Sequence, residues 1–209
     1  PLFDIMKLAH LTDLKMPEFI PGSQDGCHIE RPKLPNLNVS KEQSELIEWM
    51  AIGEHHSLLA GPPGTGKTTL GVLAASLLRD PQAHDLRQYQ KIARHFGQTL
   101  SWRPIVTPYH TATPLSFIGG GGSPKPGDIT RAHGGALIMD EFLEFDPKVS
   151  EALREPIETG QITISRLGKV ITYPAKILLF ATTNLCPCGY FIPERDFECR
   201  GRPRMCLSS

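Results

Sequence analysis

Two features that often reveal a protein's class are absent here: an excess of charge and a long apolar run. The 209 residues contain 22 Lys and Arg against 22 Asp and Glu, so the formal net charge is zero. The longest apolar runs, such as residues 177–181, fall far short of the ~20 residues that a membrane-spanning helix needs. A strongly basic chain is therefore excluded. With 40% hydrophobic residues, the composition predicts a globular protein with a sizeable core.

The sequence also lacks the evenly spaced cysteines of a secreted disulfide scaffold. Cys27 stands apart, and the other four cysteines are Cys186, Cys188, Cys199 and Cys206. The first residues show no signal peptide, so we expect a reducing, cytoplasmic compartment. The four clustered thiolates could form a tetrahedral Zn²⁺ site, although a C-x-C pair holds a single metal awkwardly. The alternative is that these cysteines are reduced free thiols.

Glycine and proline, by contrast, are abundant, with 19 of each in the chain. Five of them lie in residues 61–66 and seven in residues 119–127. We expect the second stretch to form no regular structure. It is either a surface loop or a mobile loop that contacts a partner.

Helices and strands are predicted to alternate, which favours an α/β fold with a mostly parallel sheet. Ser40 and Gln43 form a capping-box pattern at the start of a helix that Gly53 ends. Residues 1–35 are irregular and are interpreted as the end of a preceding domain and a linker, with the main domain at 36–209. The other predicted helices are 67–78, 85–96 and 150–159; the predicted strands are 57–60, 103–106, 136–139 and 176–181, with a β-hairpin at 162–165 and 170–173.

Residues 61–68 fit the phosphate-loop pattern G-x-x-x-x-G-K-[ST] and lie between a predicted strand and a predicted helix. Glycines let the backbone N–H groups curl toward phosphate oxygens, and the following helix directs its positive end at the same anion. Lys67 is expected to pair with the β- and γ-phosphates and Thr68 to ligate Mg²⁺. The residues expected to hold the nucleotide are Gly61, Pro62, Pro63, Gly64, Thr65, Gly66, Lys67, Thr68, Thr69 and Asp140.

Polar side chains follow two further predicted strands. Asp140 and Glu141 come directly after the predicted strand at residues 136–139. Asn184 lies three residues after the predicted strand at residues 176–181. Strands of a parallel sheet deliver such residues to the carboxyl edge, where ligands bind. Asp140 is expected to hold the Mg²⁺ shell, Glu141 to orient or deprotonate the attacking water, and Asn184 to contact the γ-phosphate or that water. The alternative for residues 182–184 is a simple turn.

Taken together, these motifs resemble the Walker A, Walker B and sensor 1 elements of an AAA+ ATPase. Residues 117–141, 151–158, 162–166 and 184–189 are similar to the Mg-chelatase-like subfamily, in particular its competence-protein ComM/YifB type. The resemblance covers about residues 36–206. Residues 1–35 resemble, more weakly, the end of that type's Lon-protease-like domain.

The resemblance implies a P-loop nucleoside triphosphatase that binds ATP and Mg²⁺ between the subunits of a ring, usually a hexamer. It implies a helix-2 insert near residues 108–127 and a hairpin before sensor 1 at residues 161–173. ComM-type relatives process DNA by branch migration in natural transformation, so DNA is the expected partner and no membrane is involved. Two alternative functions remain. The chain could act in metal chelation as Mg-chelatase subunits do, or it could be a nucleotide-binding module with little ATP turnover.

The chain also departs from that family pattern. No residue matches the arginine finger or the sensor 2 arginine, and we expect the helical lid of the family pattern to lie beyond residue 209. The interval between Cys199 and Cys206 is wider than the family's usual spacing, which weakens the implied zinc site. Lys125, Arg131, Arg166 and Lys169 could contact DNA phosphates if they cluster.

Overall fold

The computed structural model describes residues 29–33, 39–122, 125–166 and 168–184. Its helices are α1 (Lys41–Ile52), α2 (Lys67–Ser76), α3 (Ala83–Arg94), α4 (Pro114–Ile118), α5 (Asp128–Arg131), α6 (Pro147–Ala152) and α7 (Arg154–Thr159), with a 3₁₀ turn at Phe142–Glu144. Its strands are β1 (Ser57–Ala60), β2 (Ile105–Val106), β3 (Gly119–Gly120), β4 (Lys125–Pro126), β5 (Ala136–Met139), β6 (Gln161–Arg166), β7 (Lys169–Pro174) and β8 (Leu178–Thr183).

Four parallel strands form the central sheet, in the order β1-β8-β5-β2. Strand β8 is last in sequence but lies between β1 and β5. Its register pairs Thr183 with Ala60 and Ala181 with Met139. The carboxyl ends of β1, β5 and β8 therefore lie side by side.

Strand β5 is buried on both faces, which explains its continuous apolar run. Leu137 and Met139 belong to one hydrophobic cluster, with Phe117 and Ile129. Ala136 and Ile138 point the other way, into a second cluster with the apolar faces of α1 and α2. Side chains alternate along a strand, so a strand covered on both faces must be apolar throughout.

Helix α1 begins where the sequence predicts. The Ser40 side chain accepts a hydrogen bond from the backbone of Gln43, whose own side chain accepts one from the Ser40 N–H at 2.9 Å. Ile47 and Met50 are fully buried on its inner face. The predicted capping box and Gly53 stop are both confirmed.

The single helix predicted at residues 150–159 is wrong, because the structure has two short helices there. The first begins early, since Asp146 caps it by accepting from the Lys148 N–H and Pro147 occupies its first turn. Leu153 lies between the two helices. Pro156 has no N–H to donate to the carbonyl of Ala152, so one continuous helix would leave that carbonyl unpaired.

The prediction that residues 119–127 lack regular structure is also wrong. Gly119 and Gly120 form β3, which pairs antiparallel with β4. A Cβ atom on Gly119 would lie 2.4 Å from the carbonyl oxygen of Lys125 and 2.9 Å from a side-chain carbon of Ile164. Glycine thus permits a close ribbon that rests on β6 of the hairpin formed by β6 and β7.

The predicted hairpin is confirmed, as Ile162 pairs with Tyr173 and Ile164 with Ile171. It lies between α7 and β8, directly before the strand that Asn184 follows. None of the helices in the described parts of the chain has both the length and the apolar character needed to cross a membrane.

His133 links the loops that precede the two central strands. Its Nδ1 accepts a hydrogen bond of 3.0 Å from the backbone N–H of Lys176, and its ring packs against Tyr89 in a T-shaped contact. Beside it, the Gly134 N–H donates to the carbonyl of Lys176 at 2.7 Å. Burial lowers the pKa of His133 below 6.5. The folded protein therefore favours the neutral imidazole, which can accept this bond.

We expect the free energy of unfolding to fall as the pH is lowered through about 6.5, because the unfolded chain takes up the His133 proton before the folded chain does. Urea denaturation at pH 7.5 and 5.5 measures this fall. His133→Asn keeps a hydrogen-bond acceptor without an imidazole to protonate, and should show a smaller fall than the unmodified protein. His95→Asn, at an exposed helix end, is the control. An equal pH dependence in His133→Asn and the unmodified protein would contradict the assignment.

Candidate functional site

Residues from three strand ends and one helix start surround a cleft of about 340 Å³ at the carboxyl edge of the sheet. The loop after β1 supplies residues 61–66, and α2 supplies its first turn. Asp140 and Glu141 follow β5, and Asn184 follows β8. The residues that line the cleft are Pro63, Gly64, Gly66, Lys67, Thr68, Thr69, Asp140, Glu141, Thr182, Thr183 and Asn184.

The phosphate loop extends the pairing of β1 by one residue. The N–H of Gly61 donates to the carbonyl of Thr183 at 3.3 Å, which fixes where the loop leaves the sheet. Within the loop, the Thr65 hydroxyl donates to the carbonyl of Pro62 at 2.9 Å. Gly64 has φ of +76°, and a Cβ there would touch nothing within 4 Å. Its left-handed backbone, rather than lack of space, is therefore what requires glycine.

Helix α2 points its N-terminus into the cleft. It begins after Gly66, which is left-handed and offers no side-chain cap. The first N–H groups of a helix have no partner within the helix. At this end they are directed, with the positive end of the helix dipole, toward the space that an anion would occupy.

Lys67 is the cation of the cleft. Its Nζ donates to the carbonyl oxygens of Gly61 at 2.9 Å and Pro62 at 2.8 Å, and to Oδ1 of Asn184 at 3.3 Å. The last contact joins residues 117 positions apart in sequence. Lys67 and Asn184 thus lie within reach of the same bound group, as the sequence predicts.

Asp140 receives two hydroxyl donors on one oxygen. Thr68 donates to its Oδ1 at 2.7 Å, and Thr182 donates to the same atom. Burial alone would raise the pKa of Asp140. The hydrogen bonds from Thr182 and Thr68, with the nearby Lys67 charge, outweigh burial and lower the pKa below its usual value. Asp140 is therefore an anion at neutral pH.

Glu141 adopts a backbone conformation that is uncommon for a residue with a side chain, with φ of +53°. Hydrogen bonds fix it on both sides. Its N–H donates to Thr182 Oγ1 at 3.2 Å, and its carbonyl accepts from Glu144 N at 2.8 Å. Its carboxylate is half exposed at the mouth of the cleft, with one oxygen 3.7 Å from Nδ1 of His110.

Three residues in or beside the cleft were assigned no role from the sequence: His110, Thr182 and Thr183. His110 follows β2, so a fourth strand also delivers a polar side chain to this edge. Thr182 and Thr183 lie in β8, so the alternative that residues 182–184 form only a turn is wrong. The position of His110 after a predicted strand was the one signal available for it.

The donor set suits a magnesium ion. Mg²⁺ prefers oxygen ligands and retains several waters. The Thr68 hydroxyl and the ionised Asp140 carboxylate lie 2.7 Å apart, and Glu141 adds a second carboxylate nearby. Two carboxylates against one lysine leave the cleft negative before a ligand binds, which favours a divalent cation.

The predicted zinc ligands are not among the residues that the structure describes. Cys27, Cys186, Cys188, Cys199 and Cys206 all lie outside the described residues, so the zinc site stays a prediction. Among the residues that the structure describes, no three or more His, Cys, Asp and Glu side chains come together in a metal-binding group, so the magnesium donors of the cleft are limited to the Thr68 hydroxyl and two carboxylates.

Comparison with known proteins supports the family that the sequence motifs resemble. Residues 34–208 match the family model described as magnesium chelatase, subunit ChlI. The chain is 40% identical over 186 residues to the uncharacterized protein YifB of Escherichia coli K12, covering 80% of this chain and 37% of that protein. It is 40% identical over 146 residues to the competence protein ComM of Haemophilus influenzae, covering 68% and 29%.

A more distant relative is the probable DNA helicase MCM9 of Arabidopsis thaliana, which is 28% identical over 152 residues, covering 70% of this chain and 20% of that protein. The chain spans little more than a third, or less, of the length of these relatives.

Solved structures share the fold at low identity. NtrX from Brucella abortus in complex with ADP has a TM-score of 0.51 at 20% identity, covering 72% of this chain and 31% of that one. The ATP complex of NtrX has a TM-score of 0.51 at 19% identity, covering 72% and 30%. The predicted fold, an α/β P-loop NTPase of the AAA+ kind, is confirmed.

Proposed function

The chain belongs to the magnesium chelatase, subunit ChlI, family, and on this premise we propose that it binds ATP with Mg²⁺ and hydrolyses it. The observation that carries the proposal is the convergence of Lys67, Thr68, Asp140, Glu141 and Asn184 on one cleft. They come from three separate parts of the sequence. Together they supply four requirements of phosphoryl transfer: a cation, a metal site, a carboxylate base and a polar contact.

Binding is assigned to the phosphate loop and Lys67. The N-terminus of α2 and the Lys67 ammonium both favour an anion in the cleft. Lys67 exchanges carbonyl partners for the β- and γ-phosphates when nucleotide binds. This exchange replaces neutral acceptors with charged ones, which form stronger hydrogen bonds.

The metal is assigned to Thr68 and Asp140. When bound there, Mg²⁺ neutralises charge that develops on the phosphate oxygens. Thr68 directly follows Lys67, so the cation and the metal ligand both come from the first turn of α2. The lowered pKa of Asp140 keeps its carboxylate charged for this role.

Glu141 is assigned to the attacking water and Asn184 to the transferred phosphate. The carboxylate of Glu141 is half exposed at the cleft mouth, where water can reach it. As a base it orients the water and accepts its proton. Asn184 already contacts Lys67, and its amide can hydrogen-bond the γ-phosphate or the same water.

Glu141→Gln should separate binding from hydrolysis. We expect ATP affinity within about threefold of the unmodified protein and kcat at least ~100-fold lower, because the base is removed while the phosphate contacts remain. Calorimetry and a phosphate-release assay on the full-length protein measure the two quantities. Glu144→Gln changes an exposed glutamate three residues away and should leave both unchanged. Normal turnover in Glu141→Gln would reject the assignment, and nucleotide binding without turnover in the unmodified protein would favour a binding module.

We further propose that ATP turnover drives DNA remodelling by a ring, with six subunits expected, in the cytoplasm. The names of two relatives, a competence protein and a probable DNA helicase, support this proposal. The hairpin of β6 and β7 offers a surface for DNA, with Val170 67% exposed. Arg131, by contrast, pairs with Asp128 at 3.0 Å. It is less suited to phosphate contact than the sequence suggests.

Branch migration of a four-way DNA junction by the full-length protein tests the DNA role. We expect ATP-dependent migration by the unmodified protein and none by Glu141→Gln. Val170→Ser should keep ATP turnover and slow migration at least ~3-fold, because the hairpin loses an exposed apolar contact. Leu58→Ser, at an apolar residue of β1 that is 59% exposed, is the matched control. ATP turnover with no junction movement would contradict the DNA role and favour metal chelation.

A further inference from the structure

We propose that Thr182 is a positioning residue whose hydroxyl sets Asp140 and Glu141 in their working arrangement. The inference rests on the proposed ATP hydrolysis and assigns it a residue outside the loop, acid and asparagine motifs. Thr182 is 2% exposed and lies one strand away from both acidic residues. It acts on the reaction through them and is not itself expected to touch nucleotide.

One hydroxyl makes both contacts. Thr182 Oγ1 donates to Oδ1 of Asp140 and accepts from the backbone N–H of Glu141 at 3.2 Å. A hydroxyl has one proton to donate and lone pairs to accept, so these two bonds are compatible. The metal-binding carboxylate and the backbone of the base are therefore tied to the same atom.

One contact holds the Asp140 carboxylate, and the other holds the backbone of Glu141. With Thr68 and Thr182 both donating to Oδ1, the Asp140 carboxylate is held from two sides. The bond to the Glu141 N–H secures a left-handed backbone that a residue with a side chain seldom adopts. A valine at position 182 would fill the same volume and would lose both contacts together.

The described part of the chain contains a natural contrast. Thr130 is 1% exposed, and its hydroxyl is a buried group with no hydrogen-bond partner. A buried threonine in this protein therefore need not be paired for the fold to accommodate it. Thr182 differs in that both partners of its hydroxyl line the cleft.

The test compares Thr182→Val with Thr130→Val in the full-length protein. The first measurement is the affinity for a fluorescent ADP analogue, with Mg²⁺ and with EDTA; the second is kcat and KM for ATP. For Thr182→Val we expect the Mg²⁺-dependent part of the affinity to fall about tenfold, while the affinity in EDTA stays unchanged. We also expect kcat to fall by about 10- to 100-fold. Both losses follow from removing one or two buried hydrogen bonds. Thr130→Val should change neither.

A second pair of variants keeps the test decisive if Thr182→Val does not fold. Thr182→Ser and Thr182→Ala both lose the methyl group, and only serine keeps the hydroxyl. Serine should stay within about threefold of the unmodified protein in both measurements, and alanine should show the loss. Equal behaviour of the two, or a Thr182→Val protein matching Thr130→Val, would overturn the positioning role.

The same data separate this inference from the proposed function. If the unmodified protein neither gains ADP affinity from Mg²⁺ nor turns over ATP, the proposed function fails and the role of Thr182 fails with it. If the unmodified protein does both and Thr182→Val does so equally well, only the role of Thr182 fails.

Discussion

The insertion of β8 between β1 and β5 is the constraint on which the rest of the structure depends. Parallel pairing fixes which ends of the three strands are neighbours. Because Thr183 pairs with Ala60 and Ala181 with Met139, the phosphate loop, the acidic pair and Asn184 emerge at one edge. A shift of β8 by one residue would reverse the direction of each of its side chains. Thr182 would then face away from Asp140.

The hydrophobic packing holds that register in place. Alternate residues of β5 enter two clusters, one on each face of the sheet, so the strand cannot slide without moving apolar side chains on both sides. The rigid sheet in turn supports a cleft built from loops and a helix start. Polar residues at the carboxyl ends of apolar strands are the usual way in which α/β proteins form a ligand site.

Much of this could be read from the sequence, because the signals were local. The capping box of Ser40, the apolar run of β5 and the phosphate-loop pattern each involve neighbouring residues. Part of what failed depended on contacts across the fold. Pairing of Gly119 with Pro126 required a close backbone approach. The break at Leu153 followed from Pro156, which is local and could have been read. The link from Thr182 to two residues on another strand depends on register, which no single segment reveals.

The most direct measurement of the central claim is a crystal structure of the protein with Mg²⁺ and a non-hydrolysable ATP analogue. The account predicts phosphate oxygens about 3 Å from Lys67 Nζ, in place of the carbonyl oxygens of Gly61 and Pro62. It predicts Mg²⁺ about 2.1 Å from the Thr68 hydroxyl, with Asp140 in or beside its water shell. Nucleotide bound away from this cleft, or phosphates in the cleft with Lys67 still donating only to the loop carbonyls, would contradict it.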